Sequence, residues 1–579
     1  MNSSEPVQAE LATFLALILF MVISLGLGVV ANYMGRVKSG FLKSYFLGNR
    51  SLGAFAVALT AAVMSGGTFL GFPSLVYKYG WVVGLWICSY MVVPITVLGV
   101  LGKRIGQLAR RTGAITLPDF FRERFASPML GLITSILVIF FLTCNLVAQF
   151  KGGGLILKLV LPQSVHAMIG TAEPGKSAAD KMASVAAAAS DEGVQKPDQP
   201  AQKTATQPEP PKFRANTWED RAYVLGLVVF SVTVIFYTAY GGFLAAIWTD
   251  VFQSLVMAVG VIILFPLAMN AAGSINTGTM AGITQTGDDS YAFGPGAQRA
   301  FHPIGLAVSF FVMWAISAMG QPSTLVRLMA FRDTRTLRWS IIYLTLYNLM
   351  IYIPLIMIFV CARQILPNLA KSDEVMPRLV ITLANPYIAG LIIAAPFGAV
   401  MSTVSGWLLI ISSGLVRDLY QRFFRPQASE KEIEKASYLG TVLVGVVVCI
   451  IALNPPEYLQ LIVVFSSSGM AASFLAPAAY GAFWRRANGI GMIAAMLGGA
   501  GVTLGLYAYG MILAKTGFDP GIGAGGALSP YYLLGLDPCV WGISASFLAG
   551  AVVSLMAAPP EAELVDRMFG LDQPITTKA

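Results

Sequence analysis

Two adjacent glycines interrupt an uncharged segment that is long enough to cross a lipid bilayer. The segment Leu52–Tyr77 has no charged residue, yet Gly66 and Gly67 lie near its middle and Pro73 lies near its end. Each glycine weakens a helix by about 1 kcal/mol relative to alanine. An interrupted helix is tolerated at membrane depth only where its backbone is buried in protein or lines a cavity. The pattern indicates either a binding site built from free backbone groups or a notch for close helix packing.

A second uncharged run supplies hydroxyl groups that could complete such a site. The glycines leave the carbonyl groups of Ala61 and Met64 without partners in their own helix. Ala399 precedes Ser402 and Thr403 by three and four residues, so one carbonyl and two hydroxyls share a helix face. Alone, the two hydroxyls could simply bond back to their own helix. Together the five oxygens form a neutral set, which suits a monovalent cation such as Na⁺ better than Ca²⁺ or Mg²⁺.

The composition places these residues in a polytopic membrane protein. The chain has 579 residues, a mean hydropathy of +0.70 and 12% charged residues, whereas soluble domains carry about 25%. Five cysteines without a close CxxC pair and two distant histidines disfavour a disulfide framework, a metal centre and an intramembrane enzyme. We predict an all-α fold with about thirteen transmembrane helices. They lie at about 10–32, 52–77, 82–101, 129–157, 222–240, 249–272, 303–325, 340–362, 385–415, 439–453, 459–483, 488–512 and 540–557.

The distribution of lysine and arginine predicts the orientation of these helices. With the N-terminus outside, the cytoplasmic segments hold 23 of the 38 basic residues and the short outer loops hold six. Short cytoplasmic loops carry this kind of excess, so we predict an N-terminus outside the cell membrane and a cytoplasmic C-terminus. The net charge of +9 follows from this bias and implies no nucleic-acid partner. Glu5 and Glu10 precede the first helix, the reverse of the charge order in a signal peptide.

One long loop differs in composition from the rest of the chain. The region 162–221 is rich in Ala, Pro, Gln, Lys and Glu and has too few apolar residues to fold alone. We therefore predict a disordered loop outside the membrane. The region 558–579 is expected to be a short cytoplasmic tail, and no segment has the pattern of a soluble catalytic domain.

Five segments, in this order along the chain, resemble the sodium:solute symporter family. They are Tyr45–Gly80, Tyr237–Gln253, Gly320–Asp333, Pro396–Tyr420 and Phe483–Gly499. The resemblance covers about 45–557. Within the family, the sodium/pantothenate branch looks most similar in three further segments, Leu108–Phe121, Gln149–Leu157 and Asn454–Met470.

The resemblance implies a LeuT-like fold, in which two repeats of five helices are inverted relative to each other. The first repeat would occupy 52–272 and the second 303–483. One extra helix within 1–33 would precede the repeats, and two more within 488–557 would follow them. The family's conserved sodium site then maps onto Ala61, Met64, Ala399, Ser402 and Thr403, the same five residues that the oxygen chemistry selects.

Three further polar residues acquire two interpretations each from this resemblance. Asp250 is either an acid on the inner exit path of sodium or a cap at a helix N-terminus. Gln321, between Gly320 and Pro322, is either a substrate contact in a second interrupted helix or part of a simple kink. Lys151 stands where the family usually has an apolar residue. It either attracts an anionic substrate or reaches the outer membrane interface.

The predicted function is sodium-coupled symport of a small organic solute by alternating access, with pantothenate or a related carboxylate as the expected solute. Ser65, Gly66 and Gln149 are further candidate substrate contacts beside the break. The alternative solutes are another monocarboxylate, an amino acid or a sugar. Val63 replaces the aspartate of proline symporters and argues against a proline-type site. A channel or a transporter-like sensor is the alternative from another class. Co-transported sodium is the only expected cofactor.

Overall fold

The chain folds into a bundle of helices. The computed structural model describes residues 5–36, 53–61, 65–169, 220–294, 304–367, 369, 371–455, 459–515 and 528–570. In chain order the α-helices are α1 (Glu5–Arg36), α2 (Ala54–Ala61), α3 (Phe72–Tyr79), α4 (Gly84–Cys88), α5 (Lys103–Thr112), α6 (Leu117–Phe125), α7 (Pro128–Val160), α8 (Gln163–Met168), α9 (Arg221–Ala272), α10 (Ile275–Thr286), α11 (Ile304–Ser317), α12 (Pro322–Ala330), α13 (Thr334–Ile365), α14 (Val375–Leu383), α15 (Pro386–Ser413), α16 (Glu430–Ala452), α17 (Leu459–Phe483), α18 (Gly489–Lys515), α19 (Pro538–Met556) and α20 (Ala562–Phe569).

Eleven helical stretches in the described part of the chain are long and apolar enough to cross a membrane. One of them, Gly67–Thr112, has 46 residues. It is interrupted at Gly80, whose φ of 68° is open to glycine at little cost, so it contains the end of the second predicted helix and all of the third. The all-α membrane fold is therefore confirmed, while the count of thirteen spanning helices stays a prediction.

Both predicted helix interruptions lie where glycine and proline indicated them. Helix α2 is described as far as Ala61, Ser65 is not helical, and a π-helical turn, Gly67–Gly71, leads into α3. Residues 62–64, with Val63 and Met64, lie outside the described residues. Helix α11 is followed by a 3₁₀ turn, and Gln321 is extended (φ −73°, ψ 123°) before α12 begins at Pro322. Proline is favoured at this first helical position because it lacks an N–H.

The predicted fifth and sixth helices are joined within α9. Gly242, at φ 65° and ψ −165°, breaks the helical geometry between them. The loop predicted at 162–221 is shorter in the structure, because α8 forms at its start and α9 begins at Arg221. Residues 170–219 lie outside the described part of the chain.

Helices α15 and α17 form the centre of the bundle. In their most apolar windows, 89% and 94% of the residues are buried, compared with 33% in α1 and 28% in α19. A helix that is apolar on all sides is typical of such a central position. The interrupted helices and α7 pack around α15 and α17, so the breaks face the interior of the protein.

Candidate functional site

Ser402 and Thr403 lie side by side in the buried middle of α15. Their side chains are 8% and 6% exposed. The Ser402 hydroxyl donates to the Ala399 carbonyl oxygen at 3.1 Å, and the Thr403 hydroxyl donates to the same oxygen at 2.9 Å. A hydroxyl that donates its proton still has lone pairs to offer a cation. The structure thus brings these three predicted ligands together, with the Ala399 carbonyl already engaged by two donors.

The two hydroxyls line a small cavity between four helices. Its open volume for water-sized molecules is about 20 Å³, above the roughly 10–15 Å³ that a single water needs. Helices α2, α9, α12 and α15 contribute its lining residues, which are Leu59, Thr60, Asp250, Ser254, Met257, Arg327, Ser402, Thr403 and Trp407. Thr60 immediately precedes Ala61, the last described residue of α2. The cavity therefore joins the last described turn of α2 to the hydroxyl pair, while Met64 lies outside the described residues.

Asp250 lies on the wall of the same cavity and is paired with Arg327. Arg327 Nη2 is 3.5 Å from Asp250 Oδ2, and the side chains are 12% and 6% exposed. Asp250 Oδ1 is buried and has no hydrogen-bond partner among the described residues. Helix α9 has resumed after Gly242, so Asp250 lies inside the helix. The interpretation of Asp250 as a helix cap is therefore wrong, and its unpartnered oxygen is a polar group beside the hydroxyl pair.

The predicted contacts beside the first break form a hydrogen-bonded group. Gly66 N–H donates to Gln149 Oε1 at 2.8 Å, and Gly67 N–H donates to Ser65 Oγ at 3.1 Å. Gln149 Nε2 donates in turn to Asn145 Oδ1 at 3.4 Å. A helix start leaves N–H groups without partners, and here two side chains accept them. The structure brings Ser65, Gly66 and Gln149 together at the restart of the helix.

Gln321 lies at the second break and faces the central helix α17. Its Nε2 donates to the Ser467 carbonyl oxygen at 3.4 Å, and its side chain is 8% exposed. It caps no backbone N–H of α12 through its side chain. Gln321 is thus a buried polar group at the break, and whether it contacts a substrate stays a prediction.

Gln460 is a polar residue at the first break that the sequence reasoning missed. It lies in α17, is 4% exposed, and neither atom of its side-chain amide has a hydrogen-bond partner within the described chain. Its Oε1 lies close to the turn Gly67–Gly71. One signal was available, because Gln460 is a lone polar residue in the apolar run LQLIVVF.

An aromatic cluster borders the same turn and was also missed. Tyr90 stacks on Tyr352 and Trp314, with ring centroids 4.6 and 5.2 Å apart. Phe72 meets Tyr90 edge-on at 5.6 Å. The Tyr352 hydroxyl is 3.3 Å from Thr68 Oγ1. Aromatic residues are so common in apolar helices that no sequence pattern distinguished these from ordinary core residues.

Lys151 pairs with an acidic residue of a distant turn. Its Nζ is 3.4 Å from Asp373 Oδ2, and the two side chains are 13% and 15% exposed. The neighbouring Ser372 accepts a hydrogen bond from Ser74 Oγ of α3 at 2.7 Å. The turn Ser372–Glu374 thus connects α7 to α3, the helix that follows the first break. Lys151 is thus a mostly buried member of an ion pair, and both interpretations of its role stay predictions.

The sequence of the chain matches a known protein family. The model of the "Sodium:solute symporter family" matches residues 45–171 and 220–499. The sodium/pantothenate symporters of Haemophilus influenzae and Escherichia coli are each 29% identical over 500 and 498 residues, covering 85% of this chain and 90% and 89% of theirs. The osmoregulated proline transporter of Bacillus subtilis is 25% identical over 572 residues, covering 95% of this chain and 97% of its own.

The fold of the chain is also similar to that of a solved structure. A sodium-coupled sialic acid symporter in a substrate-bound, outward-open state matches with a TM-score of 0.63 and 18% identity, over 95% of this chain and 99% of that one. The chain therefore belongs to the sodium:solute symporter family.

Proposed function

We propose that this sodium-coupled symporter carries pantothenate or a closely related small carboxylate. The sodium/pantothenate symporters are 29% identical to the chain over most of its length, and the proline transporters are 25–27% identical. The Lys151–Asp373 pair adds a cation beside the break, where a solute carboxylate could replace Asp373 as its partner. Other monocarboxylates, amino acids and sugars are the alternative solutes.

The single observation that carries the sodium part of the proposal is the cavity shared by α2 and α15. Ser402 and Thr403 are the proposed side-chain ligands, and the carbonyl groups of Ala61, Met64 and Ala399 complete the set. Hard monovalent cations favour oxygen ligands of this kind at broken helix ends. A bound sodium ion would tie α2 to α15 and so favour a state with a formed solute pocket. To use the Ala399 carbonyl, the ion has to displace one of its two hydroxyl donors.

The solute is proposed to bind beside the two breaks, near the middle of the membrane. Ser65, Gly66, Gln149 and Gln321 are the proposed contacts. The N-terminal ends of the resumed helices carry partial positive charge, which favours a carboxylate there. Gln149 accepts the Gly66 N–H at 2.8 Å, so a solute carboxylate would compete with the Gln149 amide for that donor. Sodium and solute must raise each other's affinity by the same factor, because binding coupling is reciprocal.

Release is proposed on the cytoplasmic side, after the two helix repeats rock relative to each other. Asp250 lies in the cavity beside the hydroxyl pair and carries an unpartnered oxygen. It is therefore the proposed next ligand for sodium on its way out, with Arg327 as the counter-ion that limits how long the ion stays. The proposed orientation has the N-terminus outside and the C-terminus in the cytoplasm.

Uptake into proteoliposomes tests this proposal. We expect labelled pantothenate to accumulate under an inward sodium gradient, and to fall to background when potassium replaces sodium. Unlabelled proline, lactate and glucose serve as competitors at a hundredfold excess. Sodium-driven uptake of another solute, with no competition by pantothenate, would show that the solute assignment is wrong. Solute flux that does not depend on the sodium gradient would instead favour a channel.

A further inference from the structure

The short helix α20, near the end of the described chain, packs against the body of the protein. Its side chains Leu564, Met568 and Phe569 are buried, whereas Glu563 and Asp566 are exposed. Leu564 and Met568 are four residues apart and therefore lie on one face of the helix. A helix of eight residues is too short to be stable alone in water, so its contacts with the protein hold it in place.

Phe569 forms the first of these contacts, with its ring against two arginines. The guanidinium carbons of Arg124 and Arg485 lie 4.8 and 5.6 Å from the ring centroid. Arg124 is completely buried, and its Nη1 has no hydrogen-bond partner among the described residues. A buried charge is costly unless other groups compensate it, and the face of an aromatic ring attracts a cation at this distance. The ring of Phe569 thus helps to stabilise a buried charge of α6.

Arg111 of α5 forms the second contact, at the C-terminal end of α20. Its Nη1 donates to the carbonyl oxygen of Met568 at 2.9 Å and to that of Arg567 at 3.4 Å. The last carbonyl groups of a helix have no partner within it and carry partial negative charge. Arg111 therefore satisfies carbonyl groups that would otherwise lack a donor, and it fixes the end of α20 to α5.

The residues that hold α20 belong to different parts of the predicted fold. Arg111 and Arg124 lie in the predicted first repeat, whereas Arg485 follows the end of the predicted second repeat. Arg124 also crosses between these parts, since its Nε donates to the Gly481 carbonyl oxygen at 2.9 Å and its Nη2 donates to that of Trp484 at 3.3 Å. Helix α20 therefore covers a joint between the two repeats, on the side that is predicted to face the cytoplasm.

Separation of the repeats on this side would break at least one of these contacts, because α20 cannot follow both repeats. We propose that α20 is a latch that stabilises the state closed toward the cytoplasm, and that it detaches when the transporter opens to release sodium and solute. This inference rests on the alternating access of the proposed function, but it does not depend on the identity of the solute. Weakening the latch shifts the population of molecules toward the inward-open state.

The test measures how fast a cysteine in the transport path is labelled from the cytoplasmic side. Leu59→Cys places this cysteine in α2, on the wall of the cavity beside the hydroxyl pair, where the leucine side chain is 5% exposed. Inside-out vesicles are treated with a membrane-impermeant maleimide at the sodium concentration that half-suppresses labelling. The signal of the same protein without Leu59→Cys is subtracted, because the chain has five native cysteines.

Two changes weaken the latch, and each has a matched control. Phe569→Ala removes the ring, and truncation after Pro560 removes α20 altogether. We expect each change to raise the labelling rate by about fivefold or more, the effect of losing one or two cation–π contacts. The controls are truncation after Gly570, which removes only residues outside the described part of the chain, and Phe424→Ala, which removes a ring that is 75% exposed. Both controls are expected to keep the labelling rate within about twofold.

The outcomes separate the latch from the proposed function. If sodium fails to slow labelling in the protein with an intact tail, the proposed alternating access is refuted, and the latch with it. If sodium slows labelling, but Phe569→Ala or the truncation after Pro560 leaves the rate unchanged, the latch alone is refuted. An equal rise in either control would also refute the latch, because it would reveal an unspecific effect. A rise that saturating sodium does not reverse would refute it as well, because it would reveal a loss of structure.

Discussion

Replacing both hydroxyls on α15 with methyl groups tests the sodium site most directly. In Ser402→Ala/Thr403→Ala the two proposed side-chain ligands are lost, while the backbone of α15 is retained. Both hydroxyls also donate to the Ala399 carbonyl, at 3.1 and 2.9 Å. The double variant therefore removes both hydroxyl donors from that carbonyl, which keeps only the helical bond from the N–H of residue 403, and the more accessible carbonyl offsets part of the lost coordination.

The expected magnitude follows from these contacts. A buried group that loses its hydrogen-bond or ligand partner costs about 1–3 kcal/mol of binding or folding free energy. Since the freed Ala399 carbonyl compensates in part, we take the lower value for each hydroxyl, or about 2 kcal/mol in total. A loss of about 2 kcal/mol corresponds to an increase of roughly 30-fold in the sodium concentration for half-maximal uptake.

The assay is the sodium activation curve of solute uptake in proteoliposomes, with protein insertion checked by labelling. A control variant, Thr134→Ala/Ser473→Ala, removes two buried hydroxyls that make the same bond to their own helices, at 2.7 Å each. We expect the control to keep the sodium dependence of the wild type within about twofold, as distant sites usually behave independently. A normal activation curve in the Ser402/Thr403 double variant would refute the assignment of the sodium site.

Three further predictions concern charges and the long loop. Lys151→Asp and Asp373→Lys are each expected to reduce uptake severalfold. The charge-swapped double variant is expected to recover much of it, because the swap restores both the ion pair between α7 and the turn Ser372–Glu374 and a cation beside the break. Burial raises the pKa of Asp537 to about 7, so the folded protein holds a proton that the unfolded chain releases above about pH 4. The contribution of Asp537 to the free energy of unfolding is therefore complete below about pH 4 and is lost as the pH rises towards 7. Asp537→Asn is expected to remove this pH dependence from the denaturation profile in detergent. Deletion of 175–210, which lies outside the described residues, is expected to leave uptake within about twofold of wild type, as measured on equal amounts of inserted protein.

Each of these predictions has a control or a contrary result. The Lys158–Asp220 pair, with Nζ and Oδ2 2.5 Å apart, joins α7 to the start of α9, so reversing either of its charges is expected to leave uptake within about twofold of wild type. Equal effects from both pairs would contradict a special role for Lys151. A denaturation profile that keeps its slope between pH 4 and 7 in Asp537→Asn would show that another group titrates there. Loss of uptake in a well-inserted loop deletion would show that the loop takes part in transport.

Local sequence patterns were sufficient where a feature depends on neighbouring residues. Glycine and proline predicted both helix interruptions, and the spacing of Ala399, Ser402 and Thr403 predicted a shared helix face. Asp250 does not cap a helix, because the helix resumes directly after Gly242 and before Asp250, and this depends on the positive φ of one glycine. Rules based on neighbouring residues fail at such a position because glycine adopts several backbone conformations, so the path of the chain after it is not determined locally.

Contacts between distant segments could not be predicted in this way. Lys151 and Asp373 are 222 residues apart in the chain, and either could have faced water or lipid as far as its neighbours in sequence indicate. The stack of Tyr90, Tyr352 and Trp314 likewise joins three separate helices. Such pairs are created by the packing of helices, and a single sequence carries no record of which helices pack together.

Helix α17 carries polar residues that the apolar residues around them mark as buried. It is buried over 94% of its most apolar window, so every polar side chain in it must face another part of the protein. Gln460 lies against the first break, and the Ser467 carbonyl accepts from Gln321 at the second. One central helix thus contacts both interrupted helices, while the proposed sodium ligands within the described residues come from α2 and α15. A solute held between the breaks would therefore bind against α17, which lies in the same predicted repeat as the sodium ligands proposed on α15.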